Sequence, residues 1–460
     1  MLNRRRFLTH SCSLGAALPT LGSGLLSLAA MRDAAAQQAD YKALVCILLA
    51  GGNDSYNMLV PTDTDQYQQY ANIRSDLALP INDLLPLTLD GTDGRQFGLH
   101  PGMTALKTLL DSGDASLIAN VGTLLEPFDP VAVNEGRSEL PVGLFSHADQ
   151  IQQWQTAVSD NRTAIGWAGR IADRLQSANP SNGVSMNISL SGSNVFQSGN
   201  NSTEYSISAN GNGAVAINEY NNPDFFGTNR RTALDRILAT PADNLIEEEY
   251  RRRFRAAIDQ QLIFSDAIAQ APLLTTTFDA ANPLSAALAQ IGRVASVNAS
   301  LNAPRQTFFV TVGGWDHHDE VINNQARMLP MVANALADFR SILGELDLFN
   351  SVTTFTISDF ARTLTSNGRG SDHGWGGHHI VMGGDVNGGQ LFGEYPLLSP
   401  NSPLDVGRGI YAPTTAVDNY FAELALWFGV NRGDLDQVLP NVTRFFDPTS
   451  NDTPLGFMSS

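Results

Sequence analysis

The chain has 460 residues, 43% of them hydrophobic and 16% charged, and a formal net charge of −18. That composition supports a large buried core and excludes a disordered chain. The acidic balance argues against nucleic acid and anionic membrane surfaces as partners.

In chain order, residues 1–36 read as a twin-arginine export signal. NRRRFL sets three arginines before a mildly apolar stretch at 14–30, and AAAQ supplies small residues up to Ala36. Pro19 and several glycines make the stretch a poor spanning helix, and no other segment is long and apolar enough to span, so stable membrane insertion is not expected. The expected destination is the periplasm or the outside, reached folded through the twin-arginine translocase. Past the signal only Cys46 remains, which excludes an internal disulfide and multi-thiolate metal sites.

Short apolar runs at 43–49, 115–121, 307–312 and 352–357 predict parallel strands covered on both faces. Between them lie amphipathic stretches. One helix is predicted from His100, with Pro101 in its first turn, and another between Pro330 and Asp347, where Val332, Leu336, Phe339 and Leu343 recur at helical spacing. Strands alternating with helices predict a mostly parallel α/β sheet flanked on both faces by helices. The main domain is read as 37–447. Within it, 180–229 is an Asn/Ser/Gly-rich excursion, irregular or β-rich, and 230–300 an inserted helical subdomain. RRRFR at 251–255 follows EEE at 247–249 and predicts a solvated helix face with internal ion pairs. Residues 448–460 read as a frayed tail.

Histidines cluster after these strands. VGGWDHHDE (312–320) follows the third run, and SDHGWGGHH (371–379) follows the fourth after a loop; GGND ends the first run with Asp54. Open α/β sheets place their sites at that edge. Aspartate and neutral imidazole are ordinary ligands of Zn²⁺, and carboxylate-rich sets suit Mn²⁺, Mg²⁺ or Ca²⁺. The pattern predicts one or two divalent ions. Asp54, Asp316, His318, Asp372, His373 and His378 are the candidate ligands. Of His317 and His318, one is expected to cap a helix or face solvent, and His379 to point into the core. Ser146 and His147 open an amphipathic helix. Ser146 reads as an N-cap, and beside a metal also as a nucleophile, with Ser55 and Thr363 as rivals. Arg362 reads either as a clamp for an anionic substrate or as the structural partner of Asp359. Arg137 is a similar candidate.

Taken together, the twin-arginine signal, GGND, SHxxQ at 146–150, GGWDxH at 313–318, SDFART at 358–363, DHGWGxH at 372–378 and GGxVxGG at 383–389 resemble the exported proteins of the domain of unknown function 1501. That family is similar in turn to the alkaline phosphatase and sulfatase superfamily. The resemblance implies an alkaline phosphatase-like sheet with metal ligands at strand ends. It implies Asp54 as the first metal aspartate, Asp316 with His318 on one ion, Asp372 with His373 on the other, His378 as the late histidine, and Ser146 as nucleophile. Asp359, at the strand end itself, is the alternative to Asp372.

Two functions are compatible with these residues. One is an exported metal-dependent hydrolase of phosphate or sulfate esters, acting on a small anionic ester or a sulfated or phosphorylated glycan. The other is a non-catalytic exported protein of the same fold that binds a glycan or a partner protein and holds at most a structural metal.

Overall fold

A computed structural model describes residues 41–459 except 177–178, 180–183, 216, 218–219, 221, 242–243 and 400. The predicted export signal lies outside the described residues. Residues Lys42–Ser460 form one compact unit.

Nine strands build the central sheet: β1 (Lys42–Leu49), β2 (Ala115–Gly122), β3 (Asn187–Ser189), β4 (Tyr205–Ser206), β5 (Arg305–Val312), β6 (Val352–Ser358), β7 (Gly377–Met382), β8 (Leu391–Phe392) and β9 (Thr415–Ala416). Their order is β8-β2-β7-β6-β1-β5-β3-β4, with β9 also paired to β2. Every pairing is parallel except those of β7, which runs antiparallel to both β2 and β6. All four predicted strands are present in this largely parallel sheet.

The flanking helices used below are α1 (Thr104–Asp111), α2 (His147–Thr156), α3 (Trp167–Arg174), α4 (Phe225–Ala239), α5 (Leu245–Ile268), α6 (Pro283–Ser296), α7 (Val321–Glu345) and α8 (Val417–Phe428). Leu44, Cys46 and Leu48 of β1 join Phe309 and Phe355 in a core with Trp154, Trp167, Phe196 and Phe421. The alternate residues Ala43, Val45 and Ile47 are equally buried on the other face. There α7 packs on both α1 and α6, α6 against β5 and α1 against β2. Burial on both faces is the physical reason these strands read as unbroken apolar runs rather than alternating ones.

Four boundaries differ from the sequence reading. Helix α1 starts at Thr104 rather than His100, because Nδ1 of the buried His100 takes the Gly102 N–H and closes a turn first. Helix α7 starts at Val321 and runs through Pro330, whose ring packs against Gly102. Helix α6 of the helical insertion belongs to the core, while the irregular or β-rich excursion does contribute β3 and β4 at the sheet edge. The tail is not frayed. Phe457 is fully buried, and the Glu423 carboxylate accepts the N–H groups of Leu455, Gly456 and Met458.

The register aligns Leu49 with Val312 on one side and with Ser358 on the other. The corner after β1, the loop after β5 and the segment after β6 therefore leave the sheet side by side.

Candidate metal centre

Gly51 and Gly52 turn the chain at positive φ, +122° and +87°. A Cβ on Gly51 would lie 2.4 Å from the Asp316 nitrogen, and one on Gly52 would lie 2.6 Å from the Phe360 ring. Only glycine lets the three strand ends approach this closely. The corner then supplies backbone groups. The Gly51 N–H donates to Asp359 Oδ1 at 3.0 Å, and the carbonyls of Gly51 and Gly52 accept from Arg362 at 2.5 and 3.0 Å.

Around this corner three imidazoles and a carboxylate converge. Asp316 Oδ1 lies 3.1 Å from His318 Nε2 and 3.5 Å from both His147 Nε2 and His373 Nε2. His318 Nε2 and His373 Nε2 are 2.9 Å apart. Among the described residues, one atom each from His147, Asp316 and His373 lies within 4.8 Å of the other two. His147 comes from the first turn of α2, Asp316 and His318 from the loop after β5, and His373 from a short strand, Ser371–His373.

The far side of two rings is fixed. His147 Nδ1 donates to Asp359 Oδ2 at 2.7 Å, and His373 Nδ1 donates to the Phe145 carbonyl at 2.7 Å. With the hydrogen held on Nδ1, the Nε2 atom of each ring is turned inward toward Asp316, and that of His373 also meets His318 Nε2. The His147 Nε2 atom is buried and has no hydrogen-bond partner among the described residues. Phe145 reaches its position at φ +74°, a sparsely populated conformation for a side chain of its size.

Charge is arranged to match. Burial pushes the Asp316 carboxyl up, but Arg362, His318 and His147 outweigh it and hold it below the ordinary range. Burial lowers His373, and Arg362 and the two neighbouring histidines lower it further against the Phe145 carbonyl. A neutral imidazole beside an ionised carboxylate is the protonation state that metal binding requires. Asp359 is raised by burial, opposed by the Gly51 N–H and His147. His147, Asp316 and His373 are residue types that could hold one divalent ion such as Zn²⁺, with His318 beside them.

Several expected residues stand elsewhere. Asp54 is fully buried, with one carboxylate oxygen paired to Arg74 and the other without a hydrogen-bond partner among the described residues, and it is not part of the His147–Asp316–His373 group. His378 lies inside an aromatic cluster, stacked on Tyr395 and edge-on to Tyr56, with Nδ1 accepting the Asn120 N–H. Burial drops its pKa well below the ordinary value. His379 faces the core against Trp154 and Tyr420, and burial takes it down to about 3. His317 turns its buried ring toward Trp315. Asp372 flanks the centre without converging on it. One oxygen is 3.1 Å from Asn367 Nδ2 and 3.4 Å from His318 Nδ1; the other pairs with the exposed Arg408. Asp54, Asp372 and His378 are thus not among the residues that converge with His147, Asp316 and His373.

Arg362 is neither a free anion clamp nor the partner of Asp359. Its three nitrogens are engaged by the carbonyls of Gly51, Gly52, Trp315 and Ser371 and by Asp316. Ser146 Oγ caps α2, taking the Asp149 N–H at 3.5 Å. Ser55 and Thr363 are buried; the Ser55 hydroxyl accepts the His378 N–H and the Thr363 hydroxyl donates to the Thr365 carbonyl. Arg137 is exposed and pairs with Glu135. Arg408 gave no sequence signal, since it lies in a loop without other site residues.

The family described as "Protein of unknown function (DUF1501)" matches residues 41–438. No curated protein matches the chain. Among solved structures, the chain is similar to Ps i-CgsB at 10% identity, with 90% of this chain and 78% of that chain covered and a TM-score of 0.35. It is similar to the lipoteichoic acid synthase LtaP from Listeria monocytogenes at 7% identity, with 70% and 56% covered and a TM-score of 0.26. It is also similar to a mutant TAB5 alkaline phosphatase with Mg bound, at 10% identity, with 74% and 90% covered and a TM-score of 0.26.

Proposed function

Since this chain belongs to the DUF1501 family, whose description carries no activity, we propose from its own residues that it is an exported metal-dependent hydrolase of phosphate or sulfate monoesters. The observation that carries this reading is the convergence of His147, Asp316 and His373 with their outer ring nitrogens locked by Asp359 and Phe145. Such locking prepares a ligand set and has no evident use in a solvent-facing loop. A divalent ion held there supplies Lewis-acid polarisation of the ester oxygens.

The chain's own residues take the remaining roles. Arg362 holds the three loops in register and keeps Asp316 ionised. Arg408, largely exposed beside Asp372, meets the anionic ester. Ser146 Oγ, which caps α2 next to His147, attacks the phosphorus or sulfur in line and its proton goes to the departing alcohol; water then cleaves the seryl ester, releasing phosphate or sulfate and restoring the hydroxyl. The substrate is a small anionic ester or a sulfated or phosphorylated glycan.

The full engagement of Arg362 and the capping role of Ser146 favour the second reading, a non-catalytic exported binding protein with one structural metal. Metal analysis and assays on generic phosphate and sulfate monoesters separate the two. The hydrolase requires one ion per chain and turnover that is lost in Ser146→Ala with metal content unchanged. Metal-loaded protein inert toward every monoester returns the chain to the binding reading. Protein with no affinity for divalent ions refutes the centre itself.

A further inference from the structure

The rings of His147 and His373 share a third neighbour. The Phe360 ring centroid lies 4.4 Å from that of His373, with the planes at 30°, and 4.9 Å from that of His147, with the planes at 42°. The two imidazoles are themselves 4.4 Å apart at 72°. The three rings therefore close a triangle. Phe360 is buried, and among the described residues these two imidazoles are the aromatic rings that meet it.

The phenyl ring is itself held in place. Its Cε2–Cδ2 edge abuts the β1 corner so closely that a Cβ on Gly52 would lie 2.6 and 2.7 Å from those two atoms. The Arg362 guanidinium carbon stands 5.8 Å from the ring centroid. The backbone is anchored on both sides in sequence. Asp359 takes the Gly51 N–H at 3.0 Å. The Ala361 N–H donates to the Trp375 carbonyl at 3.1 Å, and the Ala361 carbonyl accepts the Gly374 N–H at 2.7 Å. Phe360 therefore carries the position of the corner to both imidazoles.

A flat ring at this point does something that an aliphatic side chain of similar bulk does not. His147 and His373 are each partly exposed, and each is tethered at Nδ1 by one hydrogen bond. An imidazole tethered by its Cβ and one hydrogen bond still rocks, and rocking swings Nε2 out of line with an ion. Contact along the ring removes that motion, and ligands ordered in advance lose less freedom on binding. A second effect has the same sign. An imidazole that holds a cation takes on part of its charge, and the face of a phenyl ring attracts positive charge within about 6 Å of its centroid. Phe360 thus favours the loaded rings over the empty ones.

We infer that Phe360 is a positioning residue of the metal centre, acting on the ion through His147 and His373. The inference rests on the reading of those two residues as ligands. Titration of the purified chain with Co²⁺ tests it, because the visible absorption of bound Co²⁺ reports both affinity and ligand geometry. Phe360→Leu and Phe360→Met should each raise the Co²⁺ dissociation constant about 10- to 100-fold, the range for loss of a group that orients a ligand, and should alter the absorption bands. Phe360→Tyr keeps the ring face and should bind Co²⁺ more tightly than either aliphatic variant. Melting of the metal-free proteins separates this role from packing. Aliphatic variants that melt lower yet bind Co²⁺ with the wild-type affinity and spectrum overturn the inference and leave the centre standing. Equal losses of affinity in the Leu, Met and Tyr variants overturn it as well. A wild-type chain that binds no Co²⁺ removes the centre, and the role of Phe360 with it.

Discussion

Asp359→Asn separates a metal ligand's orientation from the ligand itself. Asp359 Oδ1 is held by the Gly51 N–H at 3.0 Å, so the side chain cannot rotate freely. Its Oδ2 receives the His147 Nδ1 hydrogen at 2.7 Å. In the variant the amide oxygen keeps the Gly51 bond, and the NH₂ group faces His147 Nδ1. A donor there forces Nδ1 to accept and moves the ring hydrogen to Nε2, the atom aimed at Asp316. The ring then has no lone pair for an ion unless it breaks that contact. Loss of an orienting partner of this kind lowers metal affinity about 10- to 100-fold, which is about 1.4–2.7 kcal/mol. The metal-free fold should not suffer, since burial already raises the Asp359 carboxyl and a neutral amide removes that cost. Competition with a chromophoric chelator measures the affinity, and calorimetry of the metal-free protein measures the stability. Unchanged affinity at one ion per chain would remove His147 from the ligand set. Equal losses in the metal-free and loaded proteins would reduce Asp359 to a packing role.

Gly51→Ala drives a Cβ to 2.4 Å from the Asp316 backbone nitrogen at φ +122°, so it should cost at least ~2 kcal/mol. It should also displace the Asp316 loop, and thermal melts with metal titration will read both losses. Asp418, in the first turn of α8, is fully buried, and burial raises its carboxyl to about 7 against the pull of Arg444 and Arg170. A raised folded-state value means the stabilising state is the protonated one. That contribution is complete below the unfolded pKa near 4, falls as pH rises toward 7, and is lost above it. At 1.36 kcal/mol per unit, the fall is at most roughly 4 kcal/mol. Asp418→Asn should flatten the stability profile across that window and stabilise the protein at about pH 8. An unchanged slope in denaturant melts would show that Asp418 stays ionised.

The sheet was legible because both of its faces are covered, which writes β1, β2, β5 and β6 as plain apolar runs. The same double burial concealed β7. Strand alternation sends His378 and His379 to opposite faces, and since both faces are buried neither reaches the edge where His147, Asp316 and His373 meet. Proximity to DHG in sequence was a poor guide there. The pairing of Asp54 was hidden for a different reason. Its partner Arg74 ends a polar helix, Thr64–Arg74, and nothing in that local pattern marks an arginine destined for full burial. His147 drew less weight than it should have because SHAD is also an ordinary helix-capping sequence. Its Ser146 does cap, and the same turn carries the ring that meets Asp316 and His373. Local motifs report local roles, and only the register of three strand ends decides which of them meet.

Arg362 shows what the register alone leaves undone. Strand ends brought side by side still leave the loops beyond them free to diverge. The Arg362 guanidinium binds carbonyls from the β1 corner, from Trp315 and from Ser371, so one planar cation joins all three. Four carbonyls buried in one place would be costly without a donor of that reach. The positive charge that results needs a counter-ion, and Asp316 is the carboxylate within reach. The pairing has a chemical consequence. It keeps Asp316 ionised below the ordinary carboxylate range, and so available to a cation, while His373 is lowered toward its neutral form by the same guanidinium. A single buried charge thus orders the loops and biases both kinds of ligand toward the protonation state in which they bind an ion.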